Sequence, residues 1–184
     1  MDRRPPVRRA ASATLSRSSQ IAMMKFANTI GLLVALVSFA ARAQTVQIRT
    51  LDQAGAENVL QAAKENARKR NAPSAIAVVD FAGDLLAFER MDGVRPASAE
   101  LAIEKGRTAA RLQRPTEEIE DSINQGRTAF VTAGIPSLRG GVPIVLDGKV
   151  VGAVGIAGKN KETDVDIAKE AAGVVSSAAA VNQP

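Results

Sequence analysis

The 184-residue chain has no cysteine, histidine, tryptophan or tyrosine, and five phenylalanines are its only aromatic residues. Each absence removes a class of chemistry. Without cysteine there is neither a disulfide framework nor a thiolate nucleophile, so an oxidising compartment would be tolerated but not exploited. Without histidine, Ser–His and Cys–His catalysis, zinc sites of the usual kind and histidine-ligated iron centres are all excluded. So few rings leave little surface on which nucleic-acid bases could stack.

Charge is present but unevenly placed. The chain has 24 Lys and Arg against 19 Asp and Glu, a net charge of +5. Residues 1–43 hold seven of the basic residues and one of the acidic ones, leaving 17 basic and 18 acidic residues in 44–184, a net charge of −1. The basic character therefore belongs to the N-terminal segment, and nucleic-acid binding loses its compositional support.

That segment reads as targeting. Met1 to Gln20 carries five arginines among Ser, Ala and Pro with no apolar periodicity. From Met24 the pattern changes: Lys25 gives a positive start, Ile30 to Phe39 an apolar core, and Ala41-Arg42-Ala43 the small residues that a signal peptidase reads. The run is shorter than the roughly 20 residues that span a bilayer. The expectation is an upstream extension and cleaved signal peptide over 1–43, with translation starting at Met23 or Met24. Cleavage before Gln44 would release a single domain, 44–184, that is periplasmic or secreted and free of the membrane.

Within 44–184, Thr50-Leu-Asp-Gln53 fits a capping box, and Ala56, Val59, Leu60, Ala63 and Ala67 follow at helical spacing. Ser74 to Asp80 is an unbroken apolar run of strand length, which predicts a strand covered on both faces. Phe81 to Asp84 has turn chemistry, and Leu85 to Met91 returns as a second strand. Ser98 is expected to cap a helix to Gln113, and Thr116 a shorter one to Asn124, followed by a loop to Gly141. Val142–Leu146 and Lys149–Ile156 flank Asp147-Gly148, the pair that favours a type I′ turn. Thr163 to Asp166 opens the last helix. Val165, Ala168, Ala172, Val175 and Ala179 make one apolar face of it, and Ile167, Ala171, Val174 and Ala178 another, which predicts a homo-oligomer. The fold class is α/β of the α+β type: helix, hairpin, two helices, hairpin, helix, with helices packed on an antiparallel sheet of four to five strands.

Four segments in this order resemble the GlcG/HbpS family of haem-binding-like proteins. They are Ala77 to Gly93, Ala102 to Ala110, Gly140 to Ile156, and Asp164 to Ala172, and the resemblance spans about residues 50–180. It implies a compact domain around an antiparallel sheet, assembly into homo-oligomers, and haem or a related tetrapyrrole as ligand. Fold follows from such a resemblance more firmly than function.

Haem needs an apolar slot, cations for its propionates and usually an axial ligand. In this chain the candidate ligands are Met91, Lys105 and Thr108. Lys105 and Thr108 lie i,i+3 on one helix face with Leu101 and Leu112 on the same stripe, lining a pocket mouth or a subunit contact, or simply facing solvent. Arg107 and Arg90 are candidate propionate partners or ordinary surface charge. Gly140 and Gly141 allow close backbone approach to an anion, or a tight turn into a strand. Asp80, Asp84, Glu89 and Asp92 are close in sequence around the first hairpin and suit either a hard cation or turn and solvent roles. No metal is specified. The alternative to a non-catalytic binding protein is a small enzyme or catabolic-pathway accessory that moves a proton on an organic acid. Lys105, Asp80 and Asp92 would then be its acid–base groups.

Overall fold

The computed structural model describes residues 46–181, with side chains through residue 175. The predicted signal segment and its cleavage position lie outside the described residues.

Helix α1 is Gln53–Lys69. Its N-cap is Asp52, whose carboxylate accepts the Gly55 N–H at 2.8 Å. The expected capping box on Thr50 does not form, because the helix starts two residues late for it. Thr50 Oγ1 instead accepts the Phe81 N–H at 3.3 Å. Arg68 and Lys69 sit in the last turn, where cations offset the helix dipole.

Strands β1 (Ala75–Asp80), β2 (Leu85–Arg90), β3 (Gly141–Leu146) and β4 (Lys149–Ala157) form one antiparallel sheet in the order β2-β1-β4-β3. Asp80 closes the first hairpin: its Oδ1 accepts the Asp84 N–H at 2.8 Å. The second hairpin turns through Asp147 and Gly148 with φ of +50° and +72°. Both are in the left-handed region, as a type I′ turn demands.

The central strands are covered on both sides. On one face, Ile76, Val78, Ile144, Val154 and Ile156 meet Val59, Leu60 and Ala63 of α1, together with Ile167, Ala168 and Ala171 of α5 (Lys161–Val181). Each fully buried isoleucine contributes about 1.5–3 kcal/mol by leaving water. On the other face lies α2 (Ala97–Leu112), seated on alanines and glycines. A side chain at Gly155 would overlap the Ala102 carbonyl oxygen of α2, so this helix backbone lies almost directly on β4. Small residues on both partners make that approach feasible.

Two helix starts differ from expectation because of proline. Pro96 and Pro115 occupy the cap positions of α2 and of α3 (Thr116–Asn124), so neither Ser98 nor Thr116 is the cap. Both are buried inside the first turn. Thr116 Oγ1 accepts the Gly141 N–H at 2.9 Å. The stretch expected as pure loop contains one short helix, α4 (Ala129–Thr132). Helix α5 begins at Lys161 because Asn160 Oδ1 accepts the N–H groups of Glu162 and Thr163 at 2.9 and 3.1 Å. Its apolar residues Val165, Ile167, Ala168, Ala171 and Ala172 are buried within the protomer. The helix thus finds its cover at home, and its composition alone does not require a second copy. The side chains of Ala178 and Ala179 lie outside the description.

Candidate functional site

The close seating of α2 brings one lysine into the interior. Lys105 is 6% exposed, and its ammonium donates to the Ile156 carbonyl at 2.7 Å and to Asp164 Oδ2 at 3.0 Å. Asp164, in the first turn of α5, is equally buried, and its Oδ1 accepts the Gly158 N–H at 2.8 Å. Burial pushes the Asp164 carboxyl above its ordinary range, and this outweighs the opposing pull of Lys105 and of the Gly158 hydrogen bond. Lys105 and Asp164 thereby tie the α2 helix to the loop between β4 and α5.

Gly140 and Gly141 complete this packing. A Cβ at Gly140 would stand 2.7 Å from the Ile156 oxygen and 3.0 Å from Lys105 Nζ, and Gly140 has φ of +117°. One at Gly141 would overlap the Lys105 carbonyl. The groups packed against these glycines belong to the chain itself, β4 at Gly140 and α2 at Gly141.

Two cavities open on either side of the pair. The larger, about 560 Å³, lies at the end of the sheet between the C-terminus of α1, the β2–α2 loop and the β4–α5 loop. Ala72, Pro73 and Val94 give it apolar wall, Arg70, Arg95 and Lys159 give it positive charge, and Ser98 lies in the first turn of α2 beside them. The smaller, about 170 Å³, is lined by Lys105, Leu101, Glu120, Leu138 and Arg139 among others. Arg95, Gly158, Lys159 and Asp164 belong to both. The cations are not equivalent. Arg70 pairs with Asp166 and Glu170, and Arg139 with Glu120 and Asp121. Arg95 donates to the Gly158 carbonyl at 3.3 Å and its charge reaches Asp164, but among the described residues neither it nor Lys159 forms an ion pair. The arrangement can therefore attract an anion while offering an apolar wall to the rest of a ligand.

The other sequence candidates are dispersed. Met91 packs at the edge of the main core, with its sulfur accepting the Ser74 N–H at 3.5 Å. Thr108 is buried on α2, and neither residue lines either cavity. Arg107 turns toward the first hairpin, donating to the Gly83 carbonyl at 3.2 Å and pairing with Glu104. Arg90 is exposed at the end of β2. The four acidic residues do not converge. Asp80 and Asp84 stand at the turn, Asp92 lies beyond the opposite end of a hairpin about 20 Å long, and Glu89 pairs with Lys64 at 2.7 Å. Among the described residues no three acidic groups are placed to hold a metal. Lys105 thus has a carboxylate partner, but it is Asp164 and not Asp80 or Asp92. Asp164, Arg95, Lys159 and Ser98 did not stand out in the sequence as site residues, and Ser98 drew notice as a helix cap. The first carries a visible signal only as a helix-opening acid.

A four-stranded antiparallel sheet with helices on both faces and a cation-rimmed cavity at its end defines a small mixed α/β domain. The particular family follows from comparison. The family model described as haem degrading protein HbpS-like matches residues 51–173, and the chain belongs to this HbpS-like family. Protein GlcG of Escherichia coli (strain K12) is 48% identical over 108 residues, covering 58% of this chain and 81% of GlcG. The crystal structure of a double mutant of HbpS from Streptomyces reticuli superposes with a TM-score of 0.67 at 32% identity, covering 73% of this chain and 94% of that one. The crystal structure of a PduOC–heme complex gives 0.61 at 28% identity, with 67% and 94% covered.

Proposed function

We propose that this chain is an exported, non-catalytic binding protein for a small ligand with carboxylates on an apolar body, haem or a related tetrapyrrole foremost. The observation that carries the reading is the larger cavity. Its 560 Å³ falls within the about 300–1,000 Å³ usual for small-molecule sites, and its unpaired cations Arg95 and Lys159 face it beside Ala72, Pro73 and Val94. The haem complex of PduOC and the description of the HbpS-like family support the choice of ligand class.

Haem fits this cavity through its periphery more than through its metal. Arg95 and Lys159 suit its propionates, and charge-assisted pairing of that kind is strong for its size. No imidazole, thioether, thiolate or phenolate lines the cavity, Met91 is engaged elsewhere, and the Lys105 amine is already held by two acceptors. Affinity then rests on burial of the macrocycle and on charge, which on the affinity scale corresponds to binding of about micromolar strength. Export rests on the Met24–Ala43 segment. A homo-oligomer belongs to the same proposal, and its interface is sought at the edge strand β2, where Leu85 and Phe88 are exposed beside α2.

The test is a spectral titration of the purified chain with ferric haem. A saturable change near micromolar concentration supports the reading, and a linear response up to about a hundred micromolar overturns it.

The second reading, an organic-acid enzyme or pathway accessory, is favoured by one observation, the buried Lys105–Asp164 pair on the wall of the smaller cavity. In this reading the Lys105 ammonium must first give up a proton, for which Asp164 is the acceptor at hand, before its neutral amine can take one from the substrate. Deuterium exchange into the α-carbon of small carboxylic acids, followed by NMR, would reveal such activity, and no exchange above the uncatalysed rate would dismiss it.

A further inference from the structure

We propose that the first turn of α2 is the acid-group subsite of the larger cavity, where Ser98, Arg95 and Lys159 receive one carboxylate of the ligand and direct its apolar body toward Ala72, Pro73 and Val94. This rests on the reading that the larger cavity holds the ligand.

Ser98 supplies the first observation. It is 1% exposed, it lines the cavity, and its Oγ has no hydrogen-bond partner among the described residues. Buried hydroxyls are nearly always bonded, and one left alone calls for a partner that arrives from outside the chain. Its hydroxyl hangs from a single rotatable bond, so a change of rotamer is enough to re-aim it.

The helix supplies the second. Helix α2 has 16 residues, and Pro96 at its cap position offers no side-chain hydrogen bond to the first turn. The Ser98 and Ala99 N–H groups donate to the Arg95 and Pro96 carbonyls, so this helix start favours an anion through its dipole and not through those donors. The acid within that turn, Glu100, is exposed and does not line the cavity.

Charge balance supplies the third. Arg70 is held by Asp166 and Glu170, and the Asp164 carboxylate is occupied by Lys105 and the Gly158 N–H while also feeling the charge of Arg95. Arg95 is tethered by one hydrogen bond to the Gly158 carbonyl and, among the described residues, forms no ion pair. Lys159 follows Gly158 directly in the chain. Arg95 and Lys159, neither in an ion pair among the described residues, thus line the same cavity as an unpartnered hydroxyl. The acid end of a ligand has one favoured place.

The experiment compares iron-free protoporphyrin with its dimethyl ester, whose carboxylates are blocked, on the full chain and on Ser98→Ala and Lys159→Gln, using the porphyrin's own fluorescence. The parent should hold the diacid about tenfold more tightly than the diester, the scale of one charge-assisted hydrogen bond. Each variant should lose most of that preference while keeping the parent's affinity for the diester. Ser98→Ala should also leave the Tm of the free chain unlowered, since the hydroxyl it removes has no partner. A parent that binds both forms equally, or variants that keep its preference, would overturn the subsite alone. A parent that binds neither form would overturn the subsite and the cavity reading together.

Discussion

Replacing Lys105 with methionine should unfold this domain in a pH-dependent way. At neutral pH the change leaves the Asp164 carboxylate, 6% exposed at its side chain, with the Gly158 N–H as its remaining hydrogen bond. Breaking a buried ion pair from one side costs about 3–5 kcal/mol, a large part of the roughly 5–15 kcal/mol that holds a domain folded. For a unit of this size that corresponds to a fall in Tm of about 10–15 °C. The loss should shrink in acid. Burial already raises the Asp164 carboxyl, and removing Lys105 takes away the largest opposing influence, so the folded variant protonates more readily than its unfolded form. A group raised in this way contributes stability below its unfolded value and loses it as pH rises through the folded one. Thermal and urea unfolding at pH 7 and pH 4.5 should therefore show a smaller penalty at the lower pH. The double change Lys105→Met, Asp164→Asn should recover part of the loss at pH 7. A single variant within about 1 kcal/mol of the parent at pH 7, or one equally damaged at both pH values, would refute the reasoning.

Other outcomes follow from separate parts of the chain. Gly155→Ala places a methyl against the Ala102 carbonyl and should cost about 3 kcal/mol or more by lifting α2 from β4, measurable by urea unfolding. Phe88→Glu puts a charge at the exposed edge of the sheet and should convert an oligomer to monomer in light scattering without lowering the Tm of the protomer by more than a few degrees. Intact-mass measurement on exported material should find a chain beginning at Gln44, and a product retaining Leu32 to Phe39 would exclude that processing site.

What the sequence discloses about this protein is mostly local. The order of helices and hairpins follows from apolar spacing, and the Asp147-Gly148 turn from its positive-φ requirement, because each depends on neighbours a few residues apart. Lys105 is likewise visible as a lysine on an alanine-rich helix. Its partner is not, since Asp164 lies 59 residues away and has the ordinary look of a first-turn acid. The reverse error affects Asp80 and Asp92. They are close in sequence, but the extended strands of the hairpin carry them to opposite ends. Gly140 and Gly141 suggest close approach, but only the fold shows what lies against them, the Ile156 carbonyl at Gly140 and the Lys105 carbonyl at Gly141. Proline hid the helix starts: Ser98 and Thr116 have cap chemistry, yet each follows a residue that already occupies that place. The proposed binding surface was least legible, because Arg95, Ser98 and Lys159 come from two loops and a helix that meet only when the sheet is formed.

The most direct test of the central claim is an amide chemical-shift map of the folded chain titrated with iron-free protoporphyrin. Saturable shifts concentrated on residues 93–98 and 158–163 would place the ligand in the larger cavity, as predicted. Saturable shifts confined to other surfaces, or no saturation at all, would contradict the assignment of that cavity as the binding site.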